Sequence, residues 1–378
     1  MRVCVLQTVL DPFKGGNHLP LLSAVPEVQF TIICNRSKAH VDELPANVHV
    51  LTVPGRIGPY YYGCADFRFA QLLLKQYPPA SDFWKQFNII HCNQIMGPAL
   101  RKLRGCGVPL LFLIHHPVTV DRGIALAESC GLSALQWRAK YALLVRWQKQ
   151  MCSVVDHIAT VSQTAKNRII SDYGCHREKV SIVPNGVDGK VFIPGDLSVT
   201  DFEVIAVGSF IHPRKGFSYL LEAYRALADR GYRIADVGRR SDAQRDALAT
   251  IPQVTQFGTV QHEELVSLIQ RSATLISTSL YEGFGLSLIE ALACGRPAFA
   301  FDGGAVREVL KPIDENLVAP LRDASEIVDR VGSFLDLPEA TRIKRGKDYR
   351  DAVLEQYSLQ HSGRALSVLY NSLCQDQN

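Results

Sequence analysis

Three short stretches hold residue types that could do chemistry together. The most informative is YEGFGLSLIEALACGRP, Tyr281 to Pro297. Gly283 and Gly285 permit tight turns and let a ligand approach the main chain. A helix beginning near Leu286 then aims free N–H groups, and the positive end of its dipole, at whatever lies above the loop, which favours an anion. Glu282 in the loop and Glu290 about one turn into the helix are acceptors only, so each can grip a vicinal diol through two hydroxyl donors. A ligand anionic at one end and polyhydroxylated elsewhere is a nucleotide sugar. The plain alternative is a helix-start loop with two surface glutamates. The second stretch, VGSFIHPRKGFSYLLEAY, places Arg214 and Lys215 beside Gly216 where a strand gives way to an amphipathic helix. A lysine ammonium there can neutralise a diphosphate and stabilise it as it leaves, although most lysines are solvated loop charges. The third is the pair His115–His116, which lacks the i, i+4 spacing and the third ligand of a zinc centre.

Strands and helices must position these groups. Short apolar runs read as strands at Val3–Gln7, Gln29–Ile33, Val48–Thr52, Ile89–Cys92, Leu110–Ile114, His157–Val161 and Val180–Val183, with helical patterns between several of them, as at Asp66–Gln76 and Ser133–Cys152. Strands buried on both faces and separated by helices predict a doubly wound, largely parallel sheet. The stretch Pro184–Asp196 is dense in Pro, Gly and Asp and has no sustained period. Beyond it the pattern restarts, with strands at Val204–Val207, Arg233–Val237, Gln253–Phe257, Ala273–Ser277 and Ala298–Phe301 and helices at Tyr219–Arg230, His262–Arg271 and Ser287–Ala293. The expectation is two α/β Rossmann-like lobes facing a cleft: residues 1–191 with a terminal helix in 358–378 as the acceptor side, and 192–357 as the donor side. By periodicity alone, that terminal helix could cap either lobe.

Composition narrows the class. The 378 residues exceed one ordinary core. A hydrophobic share of 47% with 21% charged residues is an ordinary globular balance, and a formal charge of +4 is far from that of a nucleic-acid binder. Ten cysteines are scattered without a Cys-x-x-Cys pair, several in apolar runs such as RVCVL, which reads as buried small hydrophobes in a reducing compartment. The N-terminal MRVCVLQTVLDP reads as a buried strand instead of a signal peptide. The longest apolar run, Val108–Ile114, is far short of the roughly 20 residues of a membrane helix. A cytoplasmic protein is expected, at most attached to a membrane surface. The one segment suggesting such attachment is LQWRAKYALLVRWQKQM, Leu135–Met151, which reads as an interfacial helix serving a lipid-linked acceptor or as a surface helix with a solvated basic side. The tyrosines of RIGPYYYG, Arg56–Gly63, could stack on a sugar or simply pack.

Taken together, E-G-F-G-L-x-x-x-E-A-x-A-C-G-x-P, the upstream V-G-x(6)-K-G and the central P-N-G-V-D-x-x-x-F resemble glycosyltransferase family 4, of the GT-B fold. The likeness is strongest from about Ala159 to Leu310 and extends to KGGN (Lys14–Asn17) and IHHP (Ile114–Pro117). The resemblance implies that Glu290 binds the ribose hydroxyls and Glu282 those of the transferred sugar. Main-chain amides of Phe284, Gly285 and Leu286 would meet sugar and phosphates. Lys215 would hold the diphosphate, helped by Gly15 and Gly16, and His115 would lie near the transferred sugar. Asn185, Gly186 and Asp188 look like a structural turn. The terminal segment matches the family's habit of a last helix crossing back to the first lobe.

One position departs from the pattern. The family usually has an arginine directly after the Val-Gly of the second lobe, and Ser209 stands there. Losing one charge-assisted contact costs about 1.5–3 kcal/mol unless something such as Arg214 replaces it. No Asp-x-Asp occurs, so a metal-chelating route has no visible ligand set. The resemblance implies retention of anomeric configuration, with no metal and no cofactor besides the nucleotide-sugar co-substrate. Rival expectations are an epimerase or phosphorylase of the same fold, and a non-catalytic binder of nucleotide sugars. Donor base, sugar and acceptor are carried by backbone and variable loops and have no readable code.

Overall fold

The computed structural model describes residues 1–12, 18–40, 44–58, 63–94 and 97–375. The chain divides into two compact units, Met1–Asn185 joined by the segment from Leu359 onward, and Gly186–Ser358. The division falls between Asn185 and Gly186, inside the Pro/Gly/Asp-rich stretch and ahead of the 191/192 boundary read from the sequence.

In the first unit the strands are β1 (Arg2–Leu6), β2 (Val9–Leu10), β3 (Gln29–Cys34), β4 (Arg36–Ser37), β5 (Val48–Thr52), β6 (Ile89–Asn93), β7 (Leu110–Ile114), β8 (His157–Thr160) and β9 (Val180–Ile182). Seven of them form one sheet in the order β5-β3-β1-β6-β7-β8-β9, with parallel pairings throughout, while β2 and β4 form a separate short ladder. Alternation along each strand feeds two cores. Cys4 and Leu6 of β1, with Leu110, Phe112 and Ile114 of β7, enter one apolar cluster. Val3 and Val5, with Leu111 and Leu113, enter the other. Both faces are thus covered, as a parallel sheet requires. The covering helices include α1 (His18–Ser23), α2 (Cys64–Gln76), α3 (Val118–Ala127), α4 (Gly131–Val154) and α5 (Gln163–Tyr173).

The second unit repeats the design. Strands β10 (Phe202–Val207), β11 (Ile234–Val237), β12 (Val254–Gly258), β13 (Ser272–Ser277), β14 (Ala298–Phe301) and β15 (Val318–Ala319) form a parallel sheet in the order β12-β11-β10-β13-β14-β15. Its helices are α6 (Phe217–Asp229), α7 (Asp242–Ala249), α8 (His262–Gln270), α9 (Leu286–Ala293), α10 (Val306–Leu310), α11 (Ala324–Leu335) and α12 (Glu339–Tyr357). The strand order reverses between β10 and β13, so their following loops diverge and open a crevice at the carboxyl ends, where doubly wound sheets bind ligands.

The last helix, α13 (Leu359–Gln375), belongs to the first unit. Leu366, Leu369, Tyr370 and Leu373 are buried in the second apolar cluster of that unit with Phe30 and Ile32. The Tyr370 hydroxyl sits 2.7 Å from His91 Nδ1 on β6. Gly363 is required where α13 meets the end of α1, because a Cβ there would stand 2.7 Å from the Ala24 carbonyl oxygen.

Candidate active site

The two loops beside the reversal in the second sheet carry the chemistry. The first runs from Gly208 to Gly216, after β10, and the second from Thr278 to Gly285, after β13. They are zipped together by backbone: the Leu280 amide donates to the Arg214 carbonyl at 2.8 Å. Thr278 Oγ1 donates to the Gly216 carbonyl at 3.1 Å. Gly216, with φ +65°, tolerates this contact, since a Cβ would lie 2.2 Å from the Thr278 carbonyl oxygen.

Side chains converge from both loops. Lys215 Nζ donates to Glu282 Oε1 at 2.5 Å, and Arg214 lies 3.5 Å from Glu282 Oε2 while donating to the Tyr281 carbonyl at 2.8 Å. All three side chains are largely shielded from solvent, Glu282 being 14% exposed. Burial alone would push the Glu282 carboxyl up and is the largest single influence. Lys215, then Arg214, then hydrogen bonds from Lys215 and Ser279 together outweigh it and bring the carboxyl down to about 2. It is therefore ionised throughout the neutral range. A group depressed in the folded state contributes stability that is present above its ordinary value of 4.5 and lost as pH falls through about 2. Urea titrations across this window should show a loss of stability that Glu282→Gln flattens. An unchanged slope in the variant would mean that the carboxyl is not held by these cations.

A third loop, absent from the sequence reading, fixes Glu282. After β14 the chain runs Asp302-Gly303-Gly304-Ala305. The Glu282 amide donates to the Gly303 carbonyl at 3.1 Å, and its carbonyl accepts from the Ala305 amide at 2.9 Å. Gly304 adopts φ +71°, and a Cβ there would stand 2.3 Å from the Glu282 carbonyl oxygen. The signal available in the sequence was the Gly-Gly pair directly after a strand.

Helix α9 starts directly beyond. Its N-cap is Gly285 in the left-handed region, φ 99°. Phe284 is buried and packs edge-on against Tyr357 at 5.3 Å between ring centroids, so its side chain anchors the loop while backbone amides open the helix. Leu286 and Glu290 are four apart on α9 and share a face. Ser209 is exposed on the first loop. Behind it lies a second feature that sequence reading missed. Arg240, buried, donates to the Gly208 carbonyl at 2.6 Å and to Asp236 at 2.5 Å, and its guanidinium stacks 4.4 Å from the centroid of Phe210. Tyr224 donates to the same Asp236 oxygen at 3.0 Å. The Gly208–Phe210 loop is thus strapped down by a buried ion pair, and the exposed Arg239 follows Gly238 at its edge. The Gly-Arg-Arg run after β11 was the readable trace.

The remaining expected residues lie elsewhere. His115 follows β7 in the first unit and lines a small internal cavity with His91, Leu113, Ala159 and Asn185. Its Nε2 is buried and has no hydrogen-bond partner among the described residues. Burial first, and His116 second, lower its imidazole to about 4, so it is neutral at pH 7. His116 is engaged differently, its Nε2 lying 3.0 Å from Asp121 Oδ2. Gly15 and Gly16 lie outside the described residues, as do the tyrosines of the 56–63 segment.

Known proteins resemble this chain in sequence and in fold. Residues 26–190 match the family model described as Glycosyltransferase Family 4, and residues 201–336 match that described as Glycosyl transferases group 1. The chain is 32% identical over 298 residues to the MMP alpha-(1->4)-mannosyltransferase of Mycolicibacterium hassiacum, covering 75% of this chain and 70% of the relative. It is 25% identical over 279 residues to the phosphatidylinositol N-acetylglucosaminyltransferase gpi3 subunit of Schizosaccharomyces pombe, and spans 60% of that protein's length. Among solved structures, sucrose-phosphate synthase from Thermosynechococcus elongatus superposes with a TM-score of 0.77 over 98% of both chains at 18% identity. HepE from Anabaena in complex with UDP-glucose gives 0.72 at 14% identity, covering 98% of this chain and all of that one. Two doubly wound parallel units of this kind, with a terminal helix returned to the first, are the GT-B fold, and the family matches and the mannosyltransferase relative make the chain a glycosyltransferase. The chain belongs to glycosyltransferase family 4.

Proposed function

We propose that this enzyme moves a hexose from a nucleoside-diphosphate sugar to an acceptor hydroxyl, with retention at the anomeric carbon and with no metal or further cofactor. The observation that carries the reading is the convergence of Arg214 and Lys215 on Glu282 at the reversal point of the second sheet, beside the N-terminus of α9. Two cations share one carboxylate there, so positive charge is left for a diphosphate, and the helix end adds to it. Glu282 is ionised and available as an acceptor for sugar hydroxyls, and Glu290 on α9 for those of the ribose. Neighbouring folds have been solved with UDP and UDP-glucose, which supports a nucleotide-sugar donor.

In the proposed reaction the bond from the anomeric carbon to the diphosphate oxygen breaks, and that oxygen takes the proton of the acceptor hydroxyl. The acceptor oxygen then bonds to the same face of the sugar. Lys215, Arg214 and the α9 amides stabilise the charge that gathers on the departing diphosphate. Among the described residues no three His, Cys, Asp or Glu side chains gather as a metal site. The relatives' names include D-inositol 3-phosphate and phosphatidylinositol enzymes, so a polyhydroxylated acceptor, lipid-linked forms included, is the proposed class. A thermal-shift screen over UDP-, GDP- and ADP-sugars identifies the donor, since ligand at about 100 times its dissociation constant adds about 2.7 kcal/mol. NMR of the product formed in EDTA then tests the chemistry. An inverted linkage, or activity abolished by chelation and restored by a divalent ion, would overturn the mechanism.

A further inference from the structure

Helix α4 is apolar on two faces. Its inner face is accounted for: Tyr141 and Leu144 pack with Val118 and Ala125 of α3, and Met151 and Cys152 enter the main core of the first unit. The outer face is not. Leu132 is 79% exposed, Leu135 62% and Leu143 47%. With the exposed Ala139 these follow i, i+3, i+4 spacing, so they form one stripe along the helix. Three large apolar side chains left in water on one helix face exceed the scattered single exposures normal for a protein surface.

Charge tells what could cover that stripe. The 24 residues of α4 contain Arg138, Lys140, Arg146 and Lys149 and no acidic residue. Arg138, Arg146 and Lys149 are exposed. Lys140 leans over the Trp137 ring at 4.4 Å from its centroid. The helix thus carries an apolar stripe flanked by basic side chains and no acidic residue of its own. That pairing fits the boundary between the headgroups and acyl chains of an anionic bilayer, where leucines enter the apolar layer and basic groups meet phosphates. A protein partner would need matched acids at three separate points around an apolar strip, whereas an anionic lipid surface supplies charge everywhere. No described helix is long and apolar enough to cross a membrane, so the contact is with the surface.

We infer that the outer face of α4 docks the enzyme on an anionic membrane surface through Leu132, Leu135 and Leu143, with Arg138, Arg146 and Lys149 as its electrostatic half. The inference rests on this face alone and holds or fails independently of the donor assignment.

The test uses the full chain with vesicles of phosphatidylcholine alone and of phosphatidylcholine mixed with phosphatidylglycerol. The protein should sediment with the mixed vesicles at low salt, be released as salt is raised, and ignore the neutral ones. Leu132→Ser with Leu135→Ser should lower the partition coefficient at least roughly tenfold. Each of Arg138→Gln, Arg146→Gln and Lys149→Gln should lower it about fivefold. Both leucines are exposed, so the melting temperature and the donor-driven thermal shift without vesicles should stay as in the parent chain. Equal sedimentation of parent and leucine variant, or no sedimentation with anionic vesicles at low salt, would overturn the inference. So would sedimentation velocity showing a dimer that Leu135→Ser disperses, because the stripe would then be covered by a second copy.

Discussion

Lys215→Ala is expected to reduce the turnover number by roughly a hundred- to a thousandfold, with a smaller change in KM. The ammonium is 2.5 Å from Glu282 and sits at the mouth of the crevice between the loops after β10 and β13. In the proposed reaction its charge matters most when the diphosphate departs, so its loss falls on the transition state more than on donor binding. The same substitution leaves Glu282 with Arg214 alone, at 3.5 Å. Removing one partner from a shielded pair leaves an uncompensated charge, and the Glu282 carboxyl should rise from about 2 toward its ordinary range. Lys215→Arg keeps the charge but changes its reach, and should recover stability before it recovers turnover. Steady-state kinetics of both variants, paired with thermal melts, separates the two effects. If Lys215→Ala turned over donor at the parent rate, the proposed role of this lysine would be wrong.

Gly304→Ala should be nearly as damaging, although residue 304 carries no side chain that could act on a substrate. A Cβ at this position lies 2.3 Å from the Glu282 carbonyl oxygen and 2.9 Å from its amide nitrogen. Both neighbours are backbone, so neither can swing aside. The residue also holds φ +71°, which costs an L-residue about 1–2 kcal/mol before any clash. Relief requires the loop carrying Glu282 to move, and a displacement of about 1 Å at a reacting centre can cost on the order of a hundredfold in rate. We expect a lowered melting temperature together with a loss of turnover larger than the melt explains. Gly58→Ala gives the comparison. Its φ of +75° is similar and, among the described residues, nothing lies within 4 Å, so it carries the backbone strain without the clash. Comparable turnover in the two variants would argue against a positioning role for Gly304.

The contrast between Lys215 and Gly304 shows what a single sequence discloses. The strands were legible because each is a short apolar run bounded by turn residues, and β5 and β7 fall at the limits read from the sequence. The Glu282 and Lys215 loops were legible because charged residues beside glycines stand out at a strand-to-helix junction. What holds those loops was not, because it is made of long-range backbone contacts. The Gly303–Gly304 turn, 22 positions from Glu282 in the case of Gly304, becomes meaningful only once β14 lies beside β13. The Arg240 strap was hidden for another reason: a buried arginine is rare, and only the fold shows that Asp236 and the Gly208 carbonyl await it. Helix α12 was overlooked because its residues are mostly polar and give almost no amphipathic period. The two-residue β15 is too short to register as a pattern.

The return of α13 has a consequence for how the molecule is made. The first unit is discontinuous: its last helix is encoded after the whole of the second. At about 5–20 residues per second, the ribosome spends on the order of ten to thirty seconds on the intervening stretch. During that interval Phe30, Ile32 and their neighbours lack the cover that Leu366, Leu369 and Tyr370 later provide. The nascent chain therefore carries a sticky, half-roofed sheet, open to aggregation, until α13 is made and docks. Shortening the protein at its carboxyl end should accordingly harm the domain made first.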